Sequence, residues 1–165
     1  MLKCLIKSTN EVRLETEEGA DLFHKELQKE AEEEEAKKKE LVAEREYKAG
    51  DANITHRLYK NKKGEIFWDT DIKSKNEPEA AYLYTLLLNV YKGLAKDEDI
   101  SFLINYNCND VIIIWNPYIV VGTKGTEMLK DIPGYLAKQI LLMNTDKMQE
   151  VGDQLRDSVI DFLES

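Results

Sequence analysis

The stretch that most constrains this chain is residues 80–91, AAYLYTLLLNVY, where apolar side chains fall on nearly every side of a 3.6-residue repeat. A helix with no polar face has no side to present to water, so it must form the buried centre of its fold. Pro78 suits its first turn, with Asn76 or Glu77 near the cap, and the pattern stops near Gly93.

The flanking sequence supplies strands to cover it. Residues 53–59 and 65–71 read as a hairpin around residues 60–64, KNKKG, whose glycine supplies a positive φ. Beyond the acidic loop at residues 97–99 come three β-branched runs, residues 100–106, 111–115 and 118–121. Turn residues separate them, which predicts an antiparallel meander. Residues 111–114 show no polar alternation, the pattern of a strand covered on both faces. Two short strands, residues 2–7 and 11–15, open the chain around a turn at residues 8–10.

Helices close it. The first is broken at residues 132–134, IPG, and continues over 135–143. Thr145 caps the second, where Met148, Val151, Leu155, Val159 and Phe162 share one face. Asp146, Glu150, Asp153, Asp157, Asp161 and Glu164 take the opposite face. The expected fold is α+β: an antiparallel sheet of short hairpins, a buried central helix and C-terminal helices.

To this the sequence adds a long charged N-terminal helix. Thr16 stands at its cap, acids fill its first turn, and nothing breaks it until Gly50. At about 1.5 Å per residue, residues 17–49 would span roughly 50 Å. Ala20, Phe23, Leu27 and Ala31 give its first half a core stripe, which nearly vanishes over residues 32–40, EEEEAKKKE. There Glu33–Lys37, Glu34–Lys38 and Glu35–Lys39 form i,i+4 pairs, each worth about 0.2–0.5 kcal/mol. Residues 1–50 thus read as an arm and residues 51–165 as the core of one folding unit. Leu41, Val42 and Tyr47 at the far end of the arm would be exposed in a monomer, which points to a homodimer or a docked partner.

Composition narrows the chemistry. The 165 residues carry a formal charge of −9, which disfavours broad binding to nucleic acid or anionic lipid. No apolar run approaches the roughly 20 residues of a membrane-spanning helix, and residues 1–7 are too short for a secretory signal, so the cytoplasm is the expected compartment. The two cysteines, Cys4 and Cys108, read as buried hydrophobes rather than a disulfide or zinc site. Lysine outnumbers arginine 19 to 4, which hints at an A+T-rich bacterial or phage genome.

No catalytic, metal or cofactor constellation emerges. His24 and His56 lack metal spacing and a nucleophile motif. Asp69 and Asp71 share a strand face but need a third oxygen ligand to hold a cation. Gly122, Lys124, Gly125 and Thr126 follow a strand and precede a helix, the outline of a phosphate cradle, without a P-loop's length or ending.

Charge segregation is the stronger feature. Residues 11–35 hold eleven acids against three bases, and residues 57–75 hold six bases against three acids. The expectation is therefore a non-catalytic protein-binding protein (an inhibitor, immunity-type protein or adaptor) that offers acidic helical surface to a basic partner, with nucleic-acid-binding proteins among the candidates. Glu32, Glu33, Glu34, Glu35, Asp153, Asp157 and Asp161 carry that surface. The alternative is a nucleic-acid or nucleotide binder using the hairpin at residues 57–75, where Arg57, Tyr59, Lys60, Lys62, Lys63 and Trp68 interleave bases with aromatics, together with the loop at residues 122–126.

Overall fold

In the computed structural model, residues 25–27, 38–96 and 99–165 are described. The chain divides into two compact units, residues 1–39 with 61–63 and residues 40–60 with 64–165. Residues 25–27, in the first unit, are helical. Apart from Lys39 and residues 61–63, the rest of the fold described below belongs to the second.

Seven strands form one open sheet in the order of the sequence: β1 (Lys39–Ala49), β2 (Ala52–Asn61), β3 (Ile66–Ser74), β4 (Ile100–Cys108), β5 (Val111–Asn116), β6 (Ile119–Lys124) and β7 (Glu127–Met128). The pairings β2–β3, β4–β5, β5–β6 and β6–β7 are antiparallel. β3 and β4 run parallel, with Trp68 opposite Phe102 and Ile72 opposite Tyr106. A parallel pair needs a long crossover. The apolar helix α1 (Glu77–Leu94) supplies it, capped by Asn76 and with Pro78 in its first turn. The α+β class holds, with a mostly antiparallel sheet and the apolar helix at its centre.

Alternation along the strands builds the core. Ile54 and His56 of β2, Trp68, Thr70 and Ile72 of β3, Phe102, Ile104 and Tyr106 of β4, and Val111, Ile113 and Trp115 of β5 all turn to one side and are buried. There they meet Ala80, Leu83, Tyr84, Leu87 and Tyr91 of α1. Helix α2 (Ile132–Leu141) packs on α1, starting from Asp131, whose side chain accepts from the Gly134 N–H. Helix α3 (Thr145–Glu164) also packs on α1, where Gly152 lets the two helices close on Tyr82 and Leu86. Asn144, rather than Thr145, is its cap.

Three expectations fail. The long helix does not reach Ala49, because residues 39–49 are a strand. Its Glu, Lys and Ala residues favour helix locally, but Ala43, Tyr47 and Ala49 lie at two-residue spacing and pack on the core, so tertiary pairing overrides propensity. Residues 28–37 and the opening strands lie outside the described residues. Gly122 and Lys124 sit inside β6, and Gly125-Thr126 is a hairpin turn to β7, so no helix start follows and the phosphate cradle is absent. Leu129 and Ile132 pack closely over Gly122, where an added Cβ would lie 3.0 Å from each. Nor is β5 covered twice: Ile112 and Ile114 are 41% and 42% exposed on the face away from the helices.

Candidate functional site

Helix α3 is where the acidic surface takes shape. Val151, Leu155, Ser158, Val159 and Phe162 bury one side of it. A buried polar chain then fixes its position on the sheet. Ser158 donates to the carbonyl of Leu155 at 2.6 Å, so its oxygen receives the Nε2–H of His56 at 3.0 Å. Nδ1 of His56 must then accept, and Thr70 Oγ1 donates to it at 2.8 Å. The Thr70 oxygen in turn receives the Tyr91 hydroxyl at 2.5 Å. All four groups are buried, and the imidazole lies between Tyr47, Trp68 and Phe162. Burial lowers the His56 pKa to about 4, so the ring is neutral at physiological pH. Buried among hydroxyls and rings, it has no route to a substrate.

The opposite side of α3 presents Asp146, Glu150, Asp153, Asp157, Asp161 and Glu164, all exposed. Asp161 accepts from the Tyr47 hydroxyl at 2.5 Å and lies 3.4 Å from Arg45, both on β1. Asp153 lies 3.8 Å from Arg156 one turn on. Asp146, Glu150, Asp157 and Glu164 have no cationic partner among the described residues. Of the expected acidic set, the structure thus brings Asp153, Asp157 and Asp161 to one exposed face. Glu32, Glu33, Glu34 and Glu35 lie outside the described residues.

The basic hairpin resolves differently. Arg57 donates through Nε to Glu44 at 2.6 Å and through a terminal nitrogen to Asp71 at 2.5 Å, which pushes its pKa up and occupies its fork. Trp68 is 2% exposed, with Tyr91, Phe102 and Phe162 around it, and offers no surface for a base to stack on. Tyr59 is half-buried, while Lys60, Lys62 and Lys63 are exposed. Lys124 is exposed, as are Gly125 and Thr126 in their turn.

An open polar cleft of about 830 Å³ lies at the carboxyl ends of β3 and β4, lined by Asn53, Lys73, Lys75, Asn76, Asn107 and Asn109 among others. The start of α1 beside it is already satisfied from within. The Asn76 side chain accepts from the Glu79 N–H, and the buried Glu79 carboxylate accepts from the Asp51 N–H at 2.6 Å. Gly50, at φ 59°, makes room for that carboxylate, since an added Cβ would sit 2.4 Å from it. With Glu77 and Glu79 in its first turn, this helix start repels an anion rather than cradling one.

No group of three His, Cys, Asp or Glu side chains among the described residues could hold a metal ion. Cys108 is buried, and burial raises its thiol pKa, so it is no ready nucleophile. No helix among the described residues is long and apolar enough to cross a membrane. The chain matches no protein-family profile, no curated protein and no solved structure.

One surface escaped the sequence reading. On the face away from the helices, register aligns Ile112 with Thr123, Ile114 with Val121, Asn116 with Ile119, and Thr123 with Met128. The resulting strip of Ile112, Ile114, Ile119, Val121 and Met128 is exposed. The unbroken run at residues 111–114 was the available signal; it revealed an apolar outer face but not that this chain leaves it bare.

Proposed function

We propose that this chain is a non-catalytic protein-binding protein (an inhibitor, immunity-type protein or adaptor) whose α3 presents acidic surface to a basic face on another protein. One observation carries the reading: among the described residues, four exposed carboxylates on α3, Asp146, Glu150, Asp157 and Glu164, have no cationic partner, while buried contacts hold the helix beneath them. Unneutralised charge on a fixed scaffold speeds association with a complementary surface and selects against acidic partners. A basic partner that binds nucleic acid would meet carboxylates where phosphate otherwise sits.

The test is capture from a lysate of the source organism at rising salt, with the native chain beside a Glu150→Lys/Asp157→Lys double variant. Capture should fall with salt and fall further in the variant. Capture indifferent to both would sink the proposal. The nucleic-acid alternative loses Trp68 to the core and Arg57 to its carboxylates. It keeps Lys60, Lys62, Lys63, Lys73 and Lys75 as exposed cations but has no Trp68 face to stack a base, so no oligonucleotide affinity is expected even near about 50 mM salt.

A further inference from the structure

We infer that the cleft at the carboxyl ends of β3 and β4 binds the phosphate group of a small phosphorylated molecule, held by Lys73 between Asn53 and Asn107. Register sets these three residues in one row: Asn53 lies opposite Lys73 across β2–β3, and Lys73 lies beside Asn107 across β3–β4. All three are exposed and line the cleft. With neighbouring strands about 4.8 Å apart, the row places an ammonium between two amides over about 10 Å.

These groups are available to a ligand. Among the described residues, the side chains of Asn53, Lys73, Lys75 and Asn107 make no hydrogen bond or ion pair. Nearby carboxylates are committed elsewhere: Asp71, two residues before Lys73 on the same face, is held by Arg57, and Glu77 accepts from the Asn109 amide. Ile54, Ile72, Tyr106 and Cys108 alternate with the row and are buried toward the helices. Lys73 therefore projects from the opposite face, with the sheet between it and the acidic first turn of α1. Asp51 is the one carboxylate lining the cleft, against two lysines. In a chain of −9, this is a local excess of positive charge.

The donors select phosphate over carboxylate. A planar carboxylate is best met by a guanidinium fork, whereas a compact ammonium acts as a point charge suited to phosphate. Amide NH2 groups on either side meet the remaining oxygens of a tetrahedral group. A monoester brings a charge of about −1.5 to −2 to one point. An oligonucleotide instead spreads its charges along a strand that the whole −9 chain repels. The cleft, at about 830 Å³, has room for more than the phosphate. Asn76 and Asn109 offer amides there, and Asp51 a carboxylate, to hydroxyl groups on the rest of the molecule. The position also agrees with open α/β sheets, which take ligands outside the carboxyl ends of parallel strands.

Titration of the isotope-labelled full chain, followed by amide NMR shifts near about 50 mM salt, reads the site directly. Inorganic phosphate and glucose 6-phosphate should each give saturable shifts at residues 53, 73–76 and 107–109, with a dissociation constant of about 10 mM or tighter. Glucose alone should give none. Lys73→Gln should weaken binding about tenfold or more while the rest of its spectrum stays native, and Lys75→Gln should weaken it less. Absence of shifts up to about 50 mM phosphate overturns the inference, as do shifts scattered over all exposed lysines, equal shifts with glucose, or binding that Lys73→Gln leaves intact. The Glu150→Lys/Asp157→Lys variant should still bind phosphate, and Lys73→Gln should still capture a basic partner, so the two proposals fail separately.

Discussion

The two faces of this sheet are built from alternate residues of the same strands, yet they differ in kind. Toward the helices, Ile54, Trp68, Ile72, Ile104, Tyr106 and Ile113 are sealed from water. Away from them, β2 and β3 present Arg57 tied to Asp71 and Glu44, while β5–β7 present bare aliphatic side chains. The inner face is where folding free energy resides, because removing apolar area from water stabilises by about 25 cal/mol per Å². The outer face contributes little to the isolated chain and is therefore free to serve recognition. The two-residue period of the strands thus sets a sealed face against an exposed one.

The strongest attack on this contrast is Trp68→Ala. Emptying the centre of the covered face should cost about 3–5 kcal/mol, read as a lowered urea midpoint. Loss below about 1 kcal/mol would mean that the two faces are not energetically distinct.

Acid probes the same side through His56. Its folded pKa of about 4 lies below the ordinary value of 6.5, so only the unfolded chain takes up a proton as pH drops below about 6.5. The contribution of the neutral ring is complete above that value and disappears as pH falls to about 4. It amounts to about 3 kcal/mol, at about 1.4 kcal/mol per unit. Urea titrations between pH 7 and 4 should show this fall, and His56→Gln should flatten it.

Gly50→Ala is a smaller perturbation at the sheet's end. It places a side chain in left-handed backbone and against Glu79, and should cost about 1–3 kcal/mol by thermal melting. Smallest of all, Ile112→Ser on the outer face should shift the stability of the chain by no more than about 0.5 kcal/mol. A larger loss would show that the strip is part of the core after all.

Much of this architecture was legible in the sequence because pattern and packing agree. The apolar run at residues 80–91 marked α1, the KNKKG turn marked the β2–β3 hairpin, and period-3.6 spacing from Met148 to Phe162 marked α3. What misled were places where local chemistry and tertiary context conflict. KELVAEREYKA is rich in helix formers, yet it pairs as β1 because Tyr47 and Ala49 find the core at strand spacing. Trp68 among lysines resembled a stacking platform, but a strand sends alternate residues to opposite sides, and its parity is inward. Of the candidate surface, the acidic stripe of α3 was readable by period alone. The neutralisation of Arg57 was not, since Glu44 and Asp71 reach it from different strands.

The directional run of protons from Tyr91 through Thr70 and His56 to Ser158 has a consequence for how this fold comes apart. Each member is at once supported by one neighbour and needed by the next, so losing any link strands a donor or acceptor in a dry interior at about 1–3 kcal/mol. Tyr91 belongs to the crossover helix and Ser158 to the last one, with two strands between them. Neither helix can loosen without disturbing the other's anchorage, which binds remote parts of the chain into a single cooperative opening.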